Sequence, residues 1–137
     1  MKKEKVSVFK TVKIDRRTFK KIFGFAIKVK KYLKLKGELN IIFVGDKRIK
    51  KLNLEFLKRN SLTDVIAFDL SDEKNFLYEI YICFPVAKRQ AKKWDAFKEC
   101  CFLITHGILH LKGMDDRTPE MREKMIEKQK KILEKLL

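Results

Sequence analysis

The run Leu39-Asn40-Ile41-Ile42-Phe43-Val44 constrains the fold more than any other stretch of the chain. It is almost continuously apolar, which marks a strand covered on both faces rather than one side of a half-solvated sheet. Upstream, Phe19, Ile22, Phe23, Ala26, Ile27, Val29 and Leu33 recur at helical spacing. Asp15 is placed to cap that helix, which runs to about Leu35, with Gly37 as its stop. Val6 to Val12 alternates as a first strand, and Gly45-Asp46 turns into a second helix capped by Asp46 that carries Ile49, Leu52, Leu54, Phe56 and Leu57. Strand, helix, strand, helix in that order predicts a right-handed crossover and a parallel pair.

The rest of the chain reads as readily. Asp64 to Leu70 is a third strand, Ser71 to Asn75 a hairpin-like loop, and Phe76 to Phe84 a fourth strand antiparallel to the third. Pro85 suits the first turn of a helix to about Trp94, Asp95 caps the next helix, and Thr118-Pro119 opens a last one reaching Leu137. The expected class is α/β: one domain over residues 1–137, with a single mixed sheet of about four strands and helices packed on it.

Composition excludes several classes. A 45% hydrophobic content with 11 phenylalanines argues for a packed globule and against disorder. No apolar run approaches about 18 residues, so no transmembrane span is expected, and Met1 to Lys5 is not followed by the apolar core of a secretion signal. Three cysteines, two of them adjacent at Cys100 and Cys101, make no disulfide framework and point to a reducing cytoplasm.

Charge is unevenly spread. Residues 1–60 hold 20 Lys/Arg against 5 Asp/Glu, whereas residues 61–137 hold 14 against 13. Basic surface concentrated in one half steers and holds phosphates, so a nucleic-acid partner leads. A lysine-rich surface selected for solubility is the plainer alternative. Lys58 and Arg59, in the turn before the third strand, are candidate phosphate contacts, and Tyr78, Tyr81 and Trp94 are more naturally packing residues than base-stacking ones.

Only two histidines occur, His106 and His110, and both fall on the helix capped by Asp95. Four residues of separation stacks them one turn apart on one face. Gly113 can end that helix and return the chain so that Asp115 or Asp116 reaches the same point. Two imidazoles and a carboxylate suit a tetrahedral divalent ion, zinc first, with a position left for water. His106, His110 and Asp116 are therefore the expected metal ligands, and Asp115 the residue that holds the turn. The spacing parallels the extended zincin pattern, but Gly107 stands where a zincin has its general-base Glu, which weakens a peptidase reading. Glu99, two helical turns before His106, is expected to be solvated, and Cys100 and Cys101 to be small core residues.

The run His106-Gly107-Ile108-Leu109-His110-Leu111-Lys112-Gly113-Met114-Asp115-Asp116 resembles the signature H-G-x-L-H-L-x-G-Y-D-H of the YbeY family. Leu52-Asn53 and Thr63-Asp64-Val65-Ile66-Ala67-Phe68 resemble a second block of that family, Tyr78-Glu79-Ile80 a third, and Met125 with Gln129 to Leu133 its final helix. The resemblance implies a zinc-dependent, single-strand-specific endoribonuclease that acts on rRNA and ribosomal particles in rRNA maturation and ribosome quality control. Asp116 replaces the family's third histidine, and Leu57 aligns with an arginine associated with activity, leaving Lys58 or Arg59 as its substitute. A zincin-like metallopeptidase and a noncatalytic RNA-binding ribosome-assembly factor are the alternative expectations. The general base is not legible in the sequence.

Overall fold

A computed structural model describes residues 4–58, 63–91 and 94–137. Its elements are β1 (Val6–Lys10), α1 (Arg16–Tyr32), β2 (Glu38–Val44), α2 (Asp46–Leu57), β3 (Val65–Asp69), β4 (Leu77–Cys83), α3 (Phe84–Gln90), α4 (Ala96–Leu111) and α5 (Pro119–Leu136). The strands form one mixed sheet in the order β1-β2-β4-β3. β1 and β2 pair in parallel, as the crossover through α1 requires, and β3 returns antiparallel on the far side of β4.

β2 is covered on both faces, as its apolar run demands. Leu39, Ile41 and Phe43 join Tyr78, Ile80 and Ile82 of β4 in the main core beneath α1, α4 and α5. Ile42 and Val44 turn the other way and pack with Ile49 and Leu52 of α2, Ile66 and Cys83. Burying these branched and aromatic side chains is the main favourable term, roughly 1.5–3 kcal/mol for each fully buried one.

Several element ends differ from their sequence-based expectations. β1 ends at Lys10 rather than Val12, with the next residue still tied to the partner strand, the Thr11 N–H and hydroxyl both donating to Phe43 O. α1 ends at Tyr32 rather than Leu35. Lys34 adopts a left-handed backbone (φ 56°), and Leu35 N–H reaches Lys30 O while Lys34 N–H reaches Lys31 O. That pair of bonds is a Schellman cap built on lysine instead of glycine. Gly45, not Asp46, is the N-cap of α2; Asp46 occupies the first turn and accepts from Cys83 Sγ and Arg89. α3 closes at Gln90, short of Trp94. Asp15, Asp95 and Thr118 cap α1, α4 and α5 as expected.

Candidate metal centre

α4 is the helix that places the site, and nine of its residues are buried, Cys100 and Cys101 among them. Gly107 lets it lie flat on the sheet: a Cβ there would meet Ile80 Cδ1 at 2.8 Å and Cγ2 at 3.1 Å. The chain lacks the glutamate at 107 that a zincin-type peptidase needs, and any side chain there would have to displace Ile80. The helix ends in a second Schellman cap, with Gly113 at φ 99°, Met114 N–H bonded to Leu109 O and Gly113 N–H to His110 O.

That cap turns the chain back. Asp115 accepts from Arg117 N–H and Nε, which holds the turn and keeps its carboxyl below the usual carboxylate range. Asp116 points to the histidines, with Oδ2 at 3.5 Å from His106 Nε2 and 3.3 Å from His110 Nε2. The two rings stand edge to face with centroids 4.6 Å apart, and one ligand atom from each residue falls within 4.8 Å of the others. A tetrahedral ion roughly 2.0–2.1 Å from each donor would separate the donors by roughly 3.3–3.4 Å. The two aspartate-to-imidazole spacings and the two-imidazole, one-carboxylate chemistry fit such an ion. Among the described residues no fourth His, Cys, Asp or Glu joins the group.

Gln129 of α5, fully buried, completes the arrangement, and spacing alone does not reveal it. Its Nε2 donates to Phe102 O at 3.0 Å, so its oxygen faces the imidazole and accepts from His106 Nδ1–H at 3.2 Å. The proton is thereby held on Nδ1 and the Nε2 lone pair is left toward Asp116. Burial lowers the His106 pKa below 6.5, opposed by the Gln129 bond and by Asp116 and Asp64, with His110 adding to the lowering. The neutral ring that a metal needs is thus the favoured form.

The three residues open onto a cleft of about 680 Å³ between α4 and β3. Its other described walls include Asn53, Leu57, Thr63, Asp64, Val65, Ala67, Asp69 and Leu111. Asp64 accepts from Gln90 Nε2, the same amide donates to Glu99, and Glu99 also accepts from Trp94 Nε1. Glu99 is buried with these two partners, contrary to the solvated role expected of it. Tyr78 is buried, Tyr81 donates to Glu79 and Trp94 packs on Phe102, so all three serve packing. Lys58 is the exposed, left-handed C-cap of α2, with Nζ at 3.4 Å from Glu55 O; it is not among the described cleft walls, although Leu57 is. Arg59 lies outside the described residues.

Comparisons with known proteins converge. A family model described as Endoribonuclease YbeY matches residues 4–137. An Endoribonuclease YbeY of Phytoplasma australiense is 39% identical over 114 residues, covering 76% of this chain and 78% of the relative. That of Elusimicrobium minutum is 38% identical over 120 residues, 82% and 84% of the two chains. A solution structure of a Thermotoga maritima protein superposes with a TM-score of 0.66 at 28% identity, covering 96% of this chain and 88% of the other.

Proposed function

The chain belongs to the YbeY endoribonuclease family, and on that premise we propose that it is a zinc-dependent, single-strand-specific endoribonuclease of rRNA maturation and ribosome quality control. The observation that carries the reading is the convergence of His106, His110 and Asp116 at one end of an open cleft. These three residues would hold the metal. When bound, it supplies Lewis acidity and lowers the pKa of a coordinated water to roughly 7. Zinc is preferred over magnesium because two of the three donors are imidazoles, whereas magnesium favours all-oxygen shells.

The chain's own residues do the remainder. Gln129 fixes the tautomer of His106, burial keeps that ring neutral, and the Asp115–Arg117 pair keeps the Asp116 carboxylate turned inward. Asp64, tethered through Gln90 to buried Glu99, is the carboxylate of the cleft wall assigned the role of general base, which would take the proton of an attacking water. Lys58 and Arg59 are assigned to phosphate contact. No described helix is long and apolar enough to cross a membrane, and the assigned compartment is the cytoplasm, with rRNA and ribosomal particles as partners and one domain over residues 1–137.

The test is elemental analysis of the purified protein together with cleavage of single-stranded rRNA fragments by wild type and His110→Ala. One equivalent of zinc and cleavage in wild type, with both lost in the variant, is the expected result. Cleavage unchanged in His110→Ala would remove the metal mechanism.

A further inference from the structure

A polyanionic substrate fits poorly with the cleft alone. Its described walls carry three carboxylates, Asp64, Asp69 and Asp116, and no lysine or arginine. A net charge of +16 must therefore act elsewhere, and the structure places much of it on α1. Arg16, Arg17, Lys20, Lys21, Lys28 and Lys31 are all exposed, and the helix carries no acidic residue. The ion pair of this helix is Lys30 with Glu4, and Arg17 is near enough to Asp15 to attract its carboxylate.

These cations form an oriented row. Arg17, Lys20, Lys21, Lys28 and Lys31 fall within one sector of the helix at about 100° per residue, and Arg17 to Lys31 spans roughly 21 Å. Gly24 lies in the middle of the row, where an added Cβ would meet nothing, so the backbone there is open to close approach.

The row also leads to the site. Near its start, Lys21 Nζ lies 4.4 Å from the ring centre of Phe97, at the beginning of α4. Beyond its end, Lys34 O accepts from Lys112 Nζ at 3.5 Å, and Lys112 is two residues past His110. α1 and α4 therefore run side by side in the same direction. The cationic row passes through exposed Lys34 and Lys112 to the end of α4 that carries the metal ligands.

We infer that this row is a second binding surface, a rail for the phosphate backbone of RNA whose neighbouring segment lies in the cleft. The inference rests on the endoribonuclease reading for its choice of polyanion. An anionic membrane is the poorer occupant, because the apolar face of α1 (Ile22, Phe25, Ala26, Val29) is consumed by the core and its exposed large apolar side chains are the scattered Phe23, Ile27 and Tyr32.

The test is RNA binding in EDTA, so that neither metal nor cleavage is involved. A labelled RNA hairpin with a single-stranded overhang is titrated by anisotropy across a salt series. Wild type is compared with the fourfold variant Arg17→Gln, Lys20→Gln, Lys28→Gln, Lys31→Gln. A control of equal charge change on α5 carries Lys124→Gln, Lys128→Gln, Lys131→Gln and Lys135→Gln. Each phosphate contact contributes roughly 0.7–0.9 to the slope of log K against log salt, so the rail variant should lose about 3 from it. The α5 control should keep the wild-type slope. Equal losses in both variants, an unchanged slope in the rail variant, or no RNA binding by wild type would each overturn the rail. So would loss of binding to phosphatidylglycerol vesicles with RNA binding intact. Rail-dependent binding without zinc-dependent cleavage would instead sink the nuclease reading and leave the rail standing.

Discussion

α1 and α4 lie side by side in the same direction and are built on opposite plans. α4 buries nine of its 16 residues, packs against both the sheet and other helices, and carries the two imidazoles. α1 buries five of 17 and shows the solvent a row of cations. The difference divides labour by rigidity. The candidate ligands His106 and His110, which would have to meet an ion within a few tenths of an ångström, sit on a helix packed against the sheet and its neighbours, because a loosely held donor forfeits metal affinity. Charges that act over about 8–10 Å, the screening length near physiological salt, need no such fixing and sit on a helix with a free face.

The sharpest way to break this contrast is at the end of α4. Asp116→Ala should abolish stoichiometric zinc and RNA cleavage, whereas Asp115→Ala, which loosens the turn that holds Asp116 inward, should weaken zinc binding and cleavage without abolishing either. Elemental analysis and a cleavage assay check both; equal losses would mean that the two aspartates are not divided as described. Gln129→Leu should come next. Freed of its acceptor, His106 can hold its proton on either nitrogen, and zinc affinity should fall by about 10–100-fold in a competition titration.

The glycines of the two helices give a matched pair of opposite sign. Gly107→Ala drives a Cβ into Ile80 and should destabilise the protein by about 1–3 kcal/mol, seen as a lowered Tm. Gly24→Ala meets nothing and should stabilise by about 0.5–1 kcal/mol, the helix-propensity gain alone. Two shifts of the same sign would mean that α1 and α4 do not differ in packing as described.

The pH dependence of the metal-free protein is the subtlest of these effects. His106 has a folded pKa below 6.5, so the unfolded chain takes up its proton first as pH falls. Its neutral, buried state therefore contributes fully above about pH 6.5 and is lost as pH drops through the unfolded value toward the lower folded one. Tm should be level above that window and decline below it, and His106→Asn should flatten the decline.

Most of this was legible in the chain because the informative signals are local. The two-sided strand at Leu39 to Val44, the caps at Asp15, Asp95 and Thr118, and the His-x3-His spacing with its closing glycine are all short-range patterns. Asp116 was legible for the same reason, since a Schellman turn returns the chain within a few residues. Gln129 was not, because it meets His106 across 23 residues and two helices. A clue lay in its position: it falls on the buried stripe of α5 with Met125, Ile132 and Leu133, where an unpaired amide would be costly. The burial of Glu99 escapes a local reading on the same ground, since its partners Trp94 and Gln90 come from a neighbouring loop and helix that local spacing does not describe. Asp46 lost the cap to Gly45 because its carboxylate is taken by Cys83 and Arg89.

X-ray absorption at the zinc edge of the purified protein tests the central claim most directly. The expected shell is two imidazole nitrogens and one carboxylate oxygen from the chain, with a light, exchangeable fourth scatterer that an added anion displaces. A sulfur shell, a fourth protein donor, or a protein that takes up no zinc would contradict it.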